Sequence, residues 1–208
     1  MKLITISGLD GSGKSTQIKN LKRYFEEKGF RTIYFHAIQF SIANKVLRKK
    51  SNKNSSKRKT KAVIKAGFLK IFLRKIALII DTFRFRKYFF TVDRETENEF
   101  LLADRYFYDQ VVNIFYLEKK IKPSGKTPLW LKLVEKYAIV PDLKIYLDTS
   151  PEKIISRYQE IEQGKQYLND KKKIYDRLTE KWKLNLIEGD QDKEKVFENV
   201  LKKYKNIR

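Results

Sequence analysis

The sequence of 208 residues contains no cysteine and a single histidine, His36. Without thiols the chain cannot form a disulfide framework or offer thiolate ligands to a metal ion. A lone histidine is more often structural than catalytic, because imidazole chemistry usually needs a partner group. We therefore expect the chemistry of this protein to rest on carboxylates, hydroxyls and cations.

Long hydrophobic runs are also missing. The most apolar later stretch, "IFLRKIALII", is interrupted by Arg74 and Lys75, and it is too short and too charged to span a bilayer. The N-terminus passes from Met1 and Lys2 directly into a strand-like run, without the pattern of a secretory signal. These features predict a cytoplasmic protein with no membrane partner.

Acidic residues are absent between Lys28 and Ile80, a stretch that contains fifteen lysines and arginines. Its densest part, "RKKSNKNSSKRKTK", covers Arg48 to Lys61, and the whole chain has a net charge of +22. Such a run can be a solvated surface, can collect anionic small molecules, or can bind nucleic acid or a membrane surface. The solvated surface is the simplest interpretation, and nucleic-acid binding by the basic region 45–75 stays open.

The remaining composition indicates one globular domain over residues 1–208, with 41% hydrophobic and 13% aromatic residues. Strand-like and helical patterns alternate, and parallel strands need such helical crossovers. The predicted strands are "KLITIS", "RTIYFHA", "EFLLAD", "PDLKIYLD" and "KLNLIEG". A long helix is predicted from about Ala62 to Val92, another helix begins with Ser150 as its cap, and Gly29 ends the first helix. The pattern predicts a three-layer α/β fold with a mostly parallel, five-stranded sheet flanked by helices.

The segment "GLDGSGKS", Gly8 to Ser15, joins the first predicted strand to the first predicted helix. Its glycines allow successive N–H groups to point at phosphate oxygens, and the helix that follows adds its positive end. Lys14 should then reach the β- and γ-phosphates, and the Ser15 hydroxyl should bind Mg²⁺. The motif predicts a P-loop NTPase fold that uses ATP and Mg²⁺. The predicted ATP-binding residues are Gly8, Gly11, Ser12, Gly13, Lys14, Ser15 and Thr16.

Three further features bear on the group that accepts the phosphate. Asp104, Arg105 and Tyr106 follow a buried strand, where ligands bind in α/β sheets. Asp104 could serve the metal with Ser15, and Arg105 could grip a phosphate with its planar fork. Arg84 follows an apolar run in "LIIDTFR". Asp10 lies inside the Gly8 to Ser15 segment, which we call the glycine loop. A carboxylate at this position makes sense if it accepts a hydrogen bond from a hydroxyl of a second substrate.

The motifs "GLDGSGKSTQ", "LIIDTFR", "ADRY" and "PDLKIYLDTSPE" together resemble those of thymidylate kinases, which are P-loop nucleoside monophosphate kinases. The resemblance implies transfer of the ATP γ-phosphate to dTMP, giving dTDP and ADP. It also implies a homodimer and a lid over ATP at about residues 157–173. By position, Asp10 would contact the acceptor 3′-hydroxyl. Arg84 and Arg105 would hold the acceptor, Asp104 would serve Mg²⁺, and Tyr106 and Gln110 would shape the nucleoside pocket.

The chain departs from this resemblance at two places. An arginine-containing segment is expected after the second strand, but the sequence there is "FHAIQFSIANK". Phe40 in this segment could still stack on a base. The glycine loop also contains no arginine to stabilise the transition state. Either Arg157 or Lys165 of the lid would supply that charge, or turnover would be slow. The predicted catalytic set is Lys14, Asp10, Asp104, Arg105 and Arg157.

Other functions remain compatible with these residues. A deoxynucleoside kinase, or another small-molecule P-loop kinase with a different acceptor, would use the same glycine loop. A nucleic-acid-associated P-loop ATPase would use the basic region and would bind DNA or RNA with a steep dependence on salt.

Overall fold

Five strands lie side by side in one sheet, and all of their pairings are parallel. A computed structural model of the chain describes residues 1–42, 67–95, 99–119, 126–157 and 164–206. The strands are β1 (Lys2–Gly8), β2 (Thr32–His36), β3 (Phe100–Asp104), β4 (Leu143–Asp148) and β5 (Asn185–Glu188). Their order across the sheet is β2-β3-β1-β4-β5. The predicted α/β fold with a five-stranded parallel sheet is confirmed.

Helices connect the strands and cover both faces of the sheet. The described helices are α1 (Lys14–Glu27), α2 (Ala37–Phe40), α3 (Phe68–Glu95), α4 (Phe107–Leu117), α5 (Leu129–Tyr137), α6 (Pro151–Arg157), α7 (Gly164–Trp182) and α8 (Lys193–Lys205). No helix of the described part of the chain combines the length and apolarity needed to cross a membrane.

Six of the seven residues of strand β1 are buried, because other elements cover both of its faces. Successive side chains point to opposite faces, so Leu3 packs into one hydrophobic cluster and Ile4 and Ile6 pack into the other. Helices α1 and α8 complete the Ile4 cluster, in which the rings of Phe25 and Phe100 stack with centroids 3.9 Å apart. Helices α3, α4, α5 and α7 complete the Leu3 cluster. The sheet is therefore the middle of three layers.

Two local predictions about helix ends are confirmed. Gly29 follows α1 with a φ of +82°, a left-handed conformation that glycine adopts without a steric penalty. The Ser150 hydroxyl accepts a hydrogen bond of 3.1 Å from the backbone N–H of Lys153, which caps α6.

Other predictions are only partly testable or were incomplete. The long helix expected over 62–92 is present as α3, while residues 62–66 and the basic segment 48–61 lie outside the described residues. So do residues 158–163 of the predicted lid, which stays a prediction. The sequence interpretation placed no helix over α7. This helix is 19 residues long and forms because one of its faces is buried against the sheet and α4.

The sheet order brings the functional loops to one edge. Strand β1 lies between β3 and β4, so the chain leaves β1 in one direction for β2 and β3 and later returns on the other side for β4. Ligands bind at such a switch point, outside the carboxyl ends of the strands. The glycine loop after β1 and the Arg105 segment after β3 therefore meet at this edge.

Gly189, which follows β5, packs closely against the end of β4 at this edge of the sheet. A methyl group added to Gly189 would lie 2.0 Å from the Thr149 hydroxyl oxygen and 3.1 Å from the carbonyl oxygen of Asp148. The Gly189→Ala variant should therefore lose about 1–3 kcal/mol in free energy of unfolding, measured by urea denaturation. Gly67→Ala is the control, because its added methyl meets no atom within 4 Å, and its change should stay below about 1 kcal/mol. Equal effects of the two substitutions would contradict this packing argument.

Candidate active site

The glycine loop lies tightly against β4 and curls around the Lys14 side chain. Gly11 and Gly13 have φ values of +84° and +97°, and a Cβ on Gly8 would lie 2.7 Å from the carbonyl oxygen of Leu147. The Lys14 ammonium donates hydrogen bonds of 3.0 and 2.6 Å to the carbonyl oxygens of Gly8 and Leu9. Burial, assisted by the nearby Arg105 charge, lowers the pKa of Lys14 to about 8. The loop thus holds a buried cation at its centre.

The remaining predicted ATP-binding residues lie in this loop or in the first turn of α1. Ser12 is buried, and its hydroxyl oxygen has no hydrogen-bond partner among the described residues. Ser15 and Thr16 are exposed at the start of α1. An unpartnered buried hydroxyl beside a helix N-terminus suits an anionic oxygen.

Ser15 and Asp104 form an oxygen-rich corner beside the loop. The Ser15 hydroxyl donates a hydrogen bond of 2.5 Å to Oδ2 of Asp104, and the Tyr34 hydroxyl donates another of 3.2 Å. The Oδ1 atom of Asp104 is buried and unpartnered within the described ranges. Burial and the adjacent carboxylate raise the pKa of Tyr34 to about 12. A hydroxyl and a carboxylate oxygen with a free lone pair fit Mg²⁺.

Protein oxygens alone would not saturate a magnesium ion at this corner. The described part of the chain contains no group of three or more His, Cys, Asp or Glu side chains that could hold a metal. Mg²⁺ commonly keeps several waters and binds through one or two protein oxygens together with substrate phosphates. The donor set at Ser15 and Asp104 therefore fits a metal that arrives with a nucleotide.

Asp10 links the glycine loop to two other elements. Its Oδ1 atom pairs with the Arg105 guanidinium, and its Oδ2 atom accepts a hydrogen bond of 3.1 Å from the Tyr167 hydroxyl. The Lys171 ammonium lies 3.7 Å from the same Oδ2 atom. Burial alone would raise the pKa of Asp10, but the charges of Lys171, Arg105 and Lys14 outweigh it and hold that pKa well below its usual range. Asp10 is therefore a carboxylate.

Arg105 is held in position by its backbone as well as by Asp10. Its φ of +71° is uncommon for a residue with a side chain, and its N–H donates a hydrogen bond of 3.1 Å to the carbonyl oxygen of Ile6. Burial disfavours the charge of this guanidinium, but Asp10 and Asp109 reverse that effect and raise its pKa. The arginine therefore remains a cation at the meeting point of β1, β3 and the glycine loop.

Asp109 was not predicted as a site residue, although it organises the site. This buried carboxylate accepts hydrogen bonds of 2.7 Å from the Ser7 hydroxyl, 2.9 Å from the N–H of Tyr106 and 2.7 Å from the Tyr175 hydroxyl. It also accepts a longer bond of 3.3 Å from the N–H of Gly8. An acidic residue in the first turn of a helix is an available signal, since it caps α4. Its other partners could not be recognised from the sequence, because they are distant from it along the chain.

An apolar pocket with an empty volume of about 400 Å³ lies between β2, α3 and α4. Phe40, Tyr106 and Gln110, three of the predicted acceptor-binding residues, line it. Its other lining residues are Phe35, Ala37, Leu78, Asp81, Thr82, Phe85, Phe107 and Ala138. A pocket lined mostly by aromatic and aliphatic side chains, with a few polar groups among them, is typical of a small-molecule site.

Arg84 lies beside this pocket and supports its wall. The guanidinium carbon is 4.3 Å from the centroid of the Phe40 ring, and Nη1 donates hydrogen bonds to the Asp81 carboxylate at 2.7 Å and to the Phe40 carbonyl at 3.1 Å. The structure thus brings Arg84 together with Phe40. Its predicted contact with an acceptor stays a prediction.

The two lid cations considered as transition-state groups make other contacts in this structure. Arg157 is exposed and donates a hydrogen bond of 3.0 Å to the carbonyl oxygen of Gly189. Lys165 pairs with Glu152 at 2.8 Å, and both side chains are largely exposed. Neither residue is among the groups that contact Asp10, and the catalytic role expected of Arg157 remains a prediction.

Three side chains of α7 that were not among the predicted site residues reach the site, although two of them fall within the predicted lid. Tyr167, Lys171 and Tyr175 are spaced by four residues, so they lie on one face of the helix. The Tyr175 hydroxyl lies 3.1 Å from the carbonyl oxygen of Gly8, and Tyr167 and Lys171 surround Asp10. The helical spacing was visible in the sequence, but the direction of this face was not.

Comparison with known proteins is consistent with this geometry. The model of the family described as thymidylate kinase matches residues 6–207. A probable thymidylate kinase of Methanosphaera stadtmanae is 24% identical over 190 residues, covering 90% of this chain and 88% of the relative. A probable thymidylate kinase 1 of Saccharolobus solfataricus is 25% identical over 214 residues, covering 97% and 95%. A probable thymidylate kinase of Staphylothermus marinus is 25% identical over 206 residues, covering 96% and 92%.

The role of Tyr175 in holding the glycine loop can be measured as stability. Tyr175→Phe keeps the packed ring but removes a buried hydrogen bond to the charged Asp109, so the free energy of unfolding should fall by about 1.5–3 kcal/mol in urea. Tyr24→Phe is a matched control, because no hydrogen bond of its hydroxyl is found in the described part of the chain. The control should change by less than about 0.5 kcal/mol. An unchanged Tyr175→Phe variant would show that the hydroxyl does not brace the loop.

Proposed function

The chain belongs to the thymidylate kinase family, and on this premise we propose that it transfers the γ-phosphate of ATP to dTMP. An oxygen of the dTMP phosphate attacks the γ-phosphorus, and the bond from that phosphorus to the oxygen bridging it to the β-phosphate breaks. The products are dTDP and ADP. Membership of this family does not favour the alternative functions of a deoxynucleoside kinase or a nucleic-acid-associated ATPase.

One observation carries this proposal: an aromatic pocket and a phosphate-binding loop meet at the ion pair of Arg105 and Asp10. Arg105 directly precedes Tyr106, which lines the pocket, and Asp10 belongs to the glycine loop. A kinase with two nucleotide substrates needs a donor site and an acceptor site placed end to end. An NTPase that uses water needs no second pocket.

On the donor side, Lys14 and the backbone N–H groups of the loop would hold the ATP phosphates. Lys14 would exchange its two carbonyl partners for phosphate oxygens, which are stronger acceptors because they are charged. Ser15 and Asp104 would hold Mg²⁺, directly or through water. When bound, the ion neutralises charge on the β- and γ-phosphates.

On the acceptor side, the pocket chemistry fits a pyrimidine nucleotide. Phe40 offers a flat ring for stacking, and Arg84 buttresses that ring. The Gln110 amide lines the pocket and makes no hydrogen bond within the described residues, so it can donate to a carbonyl of the base and accept from a ring N–H. Arg105 would bind the acceptor phosphate, and the ionised Asp10 would accept a hydrogen bond from the sugar 3′-hydroxyl.

The exposed face of α3 supports a homodimer. Four apolar side chains spaced by four, four and three residues lie on one side of this helix, and each is 38–48% exposed: Phe72, Ile76, Ile80 and Phe83. Contiguous apolar stripes of this kind are rare on monomers and mark interaction sites. A second copy is the occupant we propose, because two identical stripes related by a two-fold axis cover one another completely.

The choice of acceptor is tested by following ADP release across a panel of nucleoside monophosphates with ATP and Mg²⁺. We expect dTMP to be turned over at least about 100-fold more efficiently than purine monophosphates, because the pocket offers one amide matched to a pyrimidine edge. Lys14→Ala should lower turnover by a factor of about 1,000 or more through the loss of phosphate stabilisation. If dTMP releases no more ADP than water does, the proposal is wrong.

The dimer is tested by sedimentation velocity at micromolar concentration. Ile80→Glu places a charge in the centre of the stripe and should convert the dimer to a monomer. Val140→Glu is the control, since Val140 is 74% exposed but lies outside α3, and it should leave the dimer intact. A wild-type protein that sediments as a monomer would contradict the proposed assembly.

A further inference from the structure

Lys171 is a buried lysine beside the glycine loop to which the proposed function so far assigns no role. Its side chain is 3% exposed. Within the described residues its ammonium donates one hydrogen bond, of 2.7 Å, to the Tyr167 hydroxyl. The Asp10 Oδ2 atom at 3.7 Å is too distant for a second one. The ammonium therefore has donors to spare.

A lysine at this place is costly for a structural residue. An ammonium has three N–H donors, and burying it without a full set of partners destabilises the folded state. Its neighbours on the same face of α7, Leu168, Ile174 and Leu178, are apolar and buried. Burial lowers the pKa of Lys171 and Arg105 adds to that effect, while Asp10 opposes it. Asp109 opposes the lowering as well, so two carboxylates offset part of the cost of burying this ammonium.

Lys171 lies next to the ion pair of Asp10 and Arg105, where the proposed donor and acceptor sites meet. Arg105 and Lys171 flank opposite oxygens of the Asp10 carboxylate. Asp10 belongs to the same glycine loop as Lys14. Arg105 directly precedes Tyr106, which lines the acceptor pocket. Lys171 therefore lies where the donor cradle and the acceptor pocket adjoin.

Phosphoryl transfer needs positive charge at this junction. Charge is spread over the equatorial oxygens of the transferred group, and catalysis comes mostly from positioning and from cations that stabilise that charge. The glycine loop contains no arginine, Arg157 donates to Gly189, and Lys165 pairs with Glu152. Lys171 is already buried at the junction, and its ion pair with Asp10 is long, at 3.7 Å.

We propose, resting on the kinase function above, that Lys171 is a catalytic residue that donates hydrogen bonds to the transferred phosphoryl group. Tyr167 holds the ammonium in place through its hydroxyl and through its ring, whose centroid is 4.7 Å from Nζ. The long contact with Asp10 is exchanged for phosphate oxygens when both substrates are bound. The α7 helix then supplies the transition-state cation that the glycine loop lacks.

The first test compares Lys171→Met with Lys173→Met, which alters an exposed lysine two positions away. Lys171→Met should lower kcat for dTMP by a factor of about 100–1,000, while KM for ATP and dTMP changes less than about threefold. Lys173→Met should keep the wild-type kcat. A kcat for Lys171→Met within about threefold of the wild type would overturn the proposal.

Folding is checked on the same variants by thermal unfolding. Replacing an underbonded buried ammonium by methionine should leave the Tm unchanged or raise it. A Tm that falls by more than about 5 °C would make Lys171 a structural residue and would overturn the catalytic role.

The second test separates contact with phosphate from an indirect effect through Asp10. The probe is a bisubstrate analogue in which adenosine and thymidine are joined through five phosphates, and its affinity is measured by calorimetry without turnover. Lys171→Met should weaken binding of the analogue at least about tenfold in the wild-type chain and equally in the Asp10→Asn background. Weakening that disappears in the Asp10→Asn background would show that Lys171 acts only on Asp10.

The wild-type acceptor panel keeps the two claims apart. No turnover of dTMP by the unaltered chain overturns the proposed function, whereas normal turnover by Lys171→Met overturns only the role of Lys171.

Discussion

The buried carboxylate of Asp109 ties together the chain segments from which the site is built. It receives hydrogen bonds from the end of β1, from the turn after β3 and from α7, through Ser7, Tyr106 and Tyr175. A buried charge is tolerated only when such donors surround it, so each segment is fixed in relation to the others. The glycine loop, the Arg105 turn and the inner face of α7 consequently meet with little freedom.

Three cations surround one carboxylate where these segments meet. Lys14, Arg105 and Lys171 are each partly or wholly buried, and Asp10 lies among them. In a medium of low effective dielectric the neighbouring cations keep Asp10 ionised, whereas burial, assisted by the charge of Arg105, lowers the pKa of Lys14. Anionic substrates would replace Asp10 as the partner of Arg105 and Lys171, and the loop carbonyls as the partners of Lys14, so the cations are in place before the nucleotides arrive.

The acceptor side follows a different principle. Its pocket is built from rings contributed by β2, α2, α3 and α4, and it has few polar groups. Apolar walls supply affinity without direction, while the free amide of Gln110 and the guanidinium of Arg105 supply orientation. The same helix α3 that forms one wall of the pocket presents its opposite, apolar face outward. Substrate binding and assembly would therefore share one structural element.

The local parts of this description were predictable from the residues alone. The five strands follow from short apolar runs, and the glycine loop follows from a spacing whose conformational needs are met within eight residues. Phe40, Tyr106 and Gln110 were predicted to bind the acceptor; the structure places all three in one pocket, and their contact with an acceptor stays a prediction. The basic segment and residues 158–163 of the predicted lid lie outside the described residues, so those predictions remain open.

The contacts of Asp10 could not be predicted in this way. Its partners Arg105 and Tyr167 are 95 and 157 positions away in the chain, and nothing in local pattern states which face of α7 turns toward the loop. The sequence by itself determined the phosphate-binding loop and the alternation of strands and helices, because backbone conformation and hydrophobic periodicity are short-range properties. Only the tertiary structure decided which cations surround Asp10, because that depends on the sheet order and on the burial of a helix face against it.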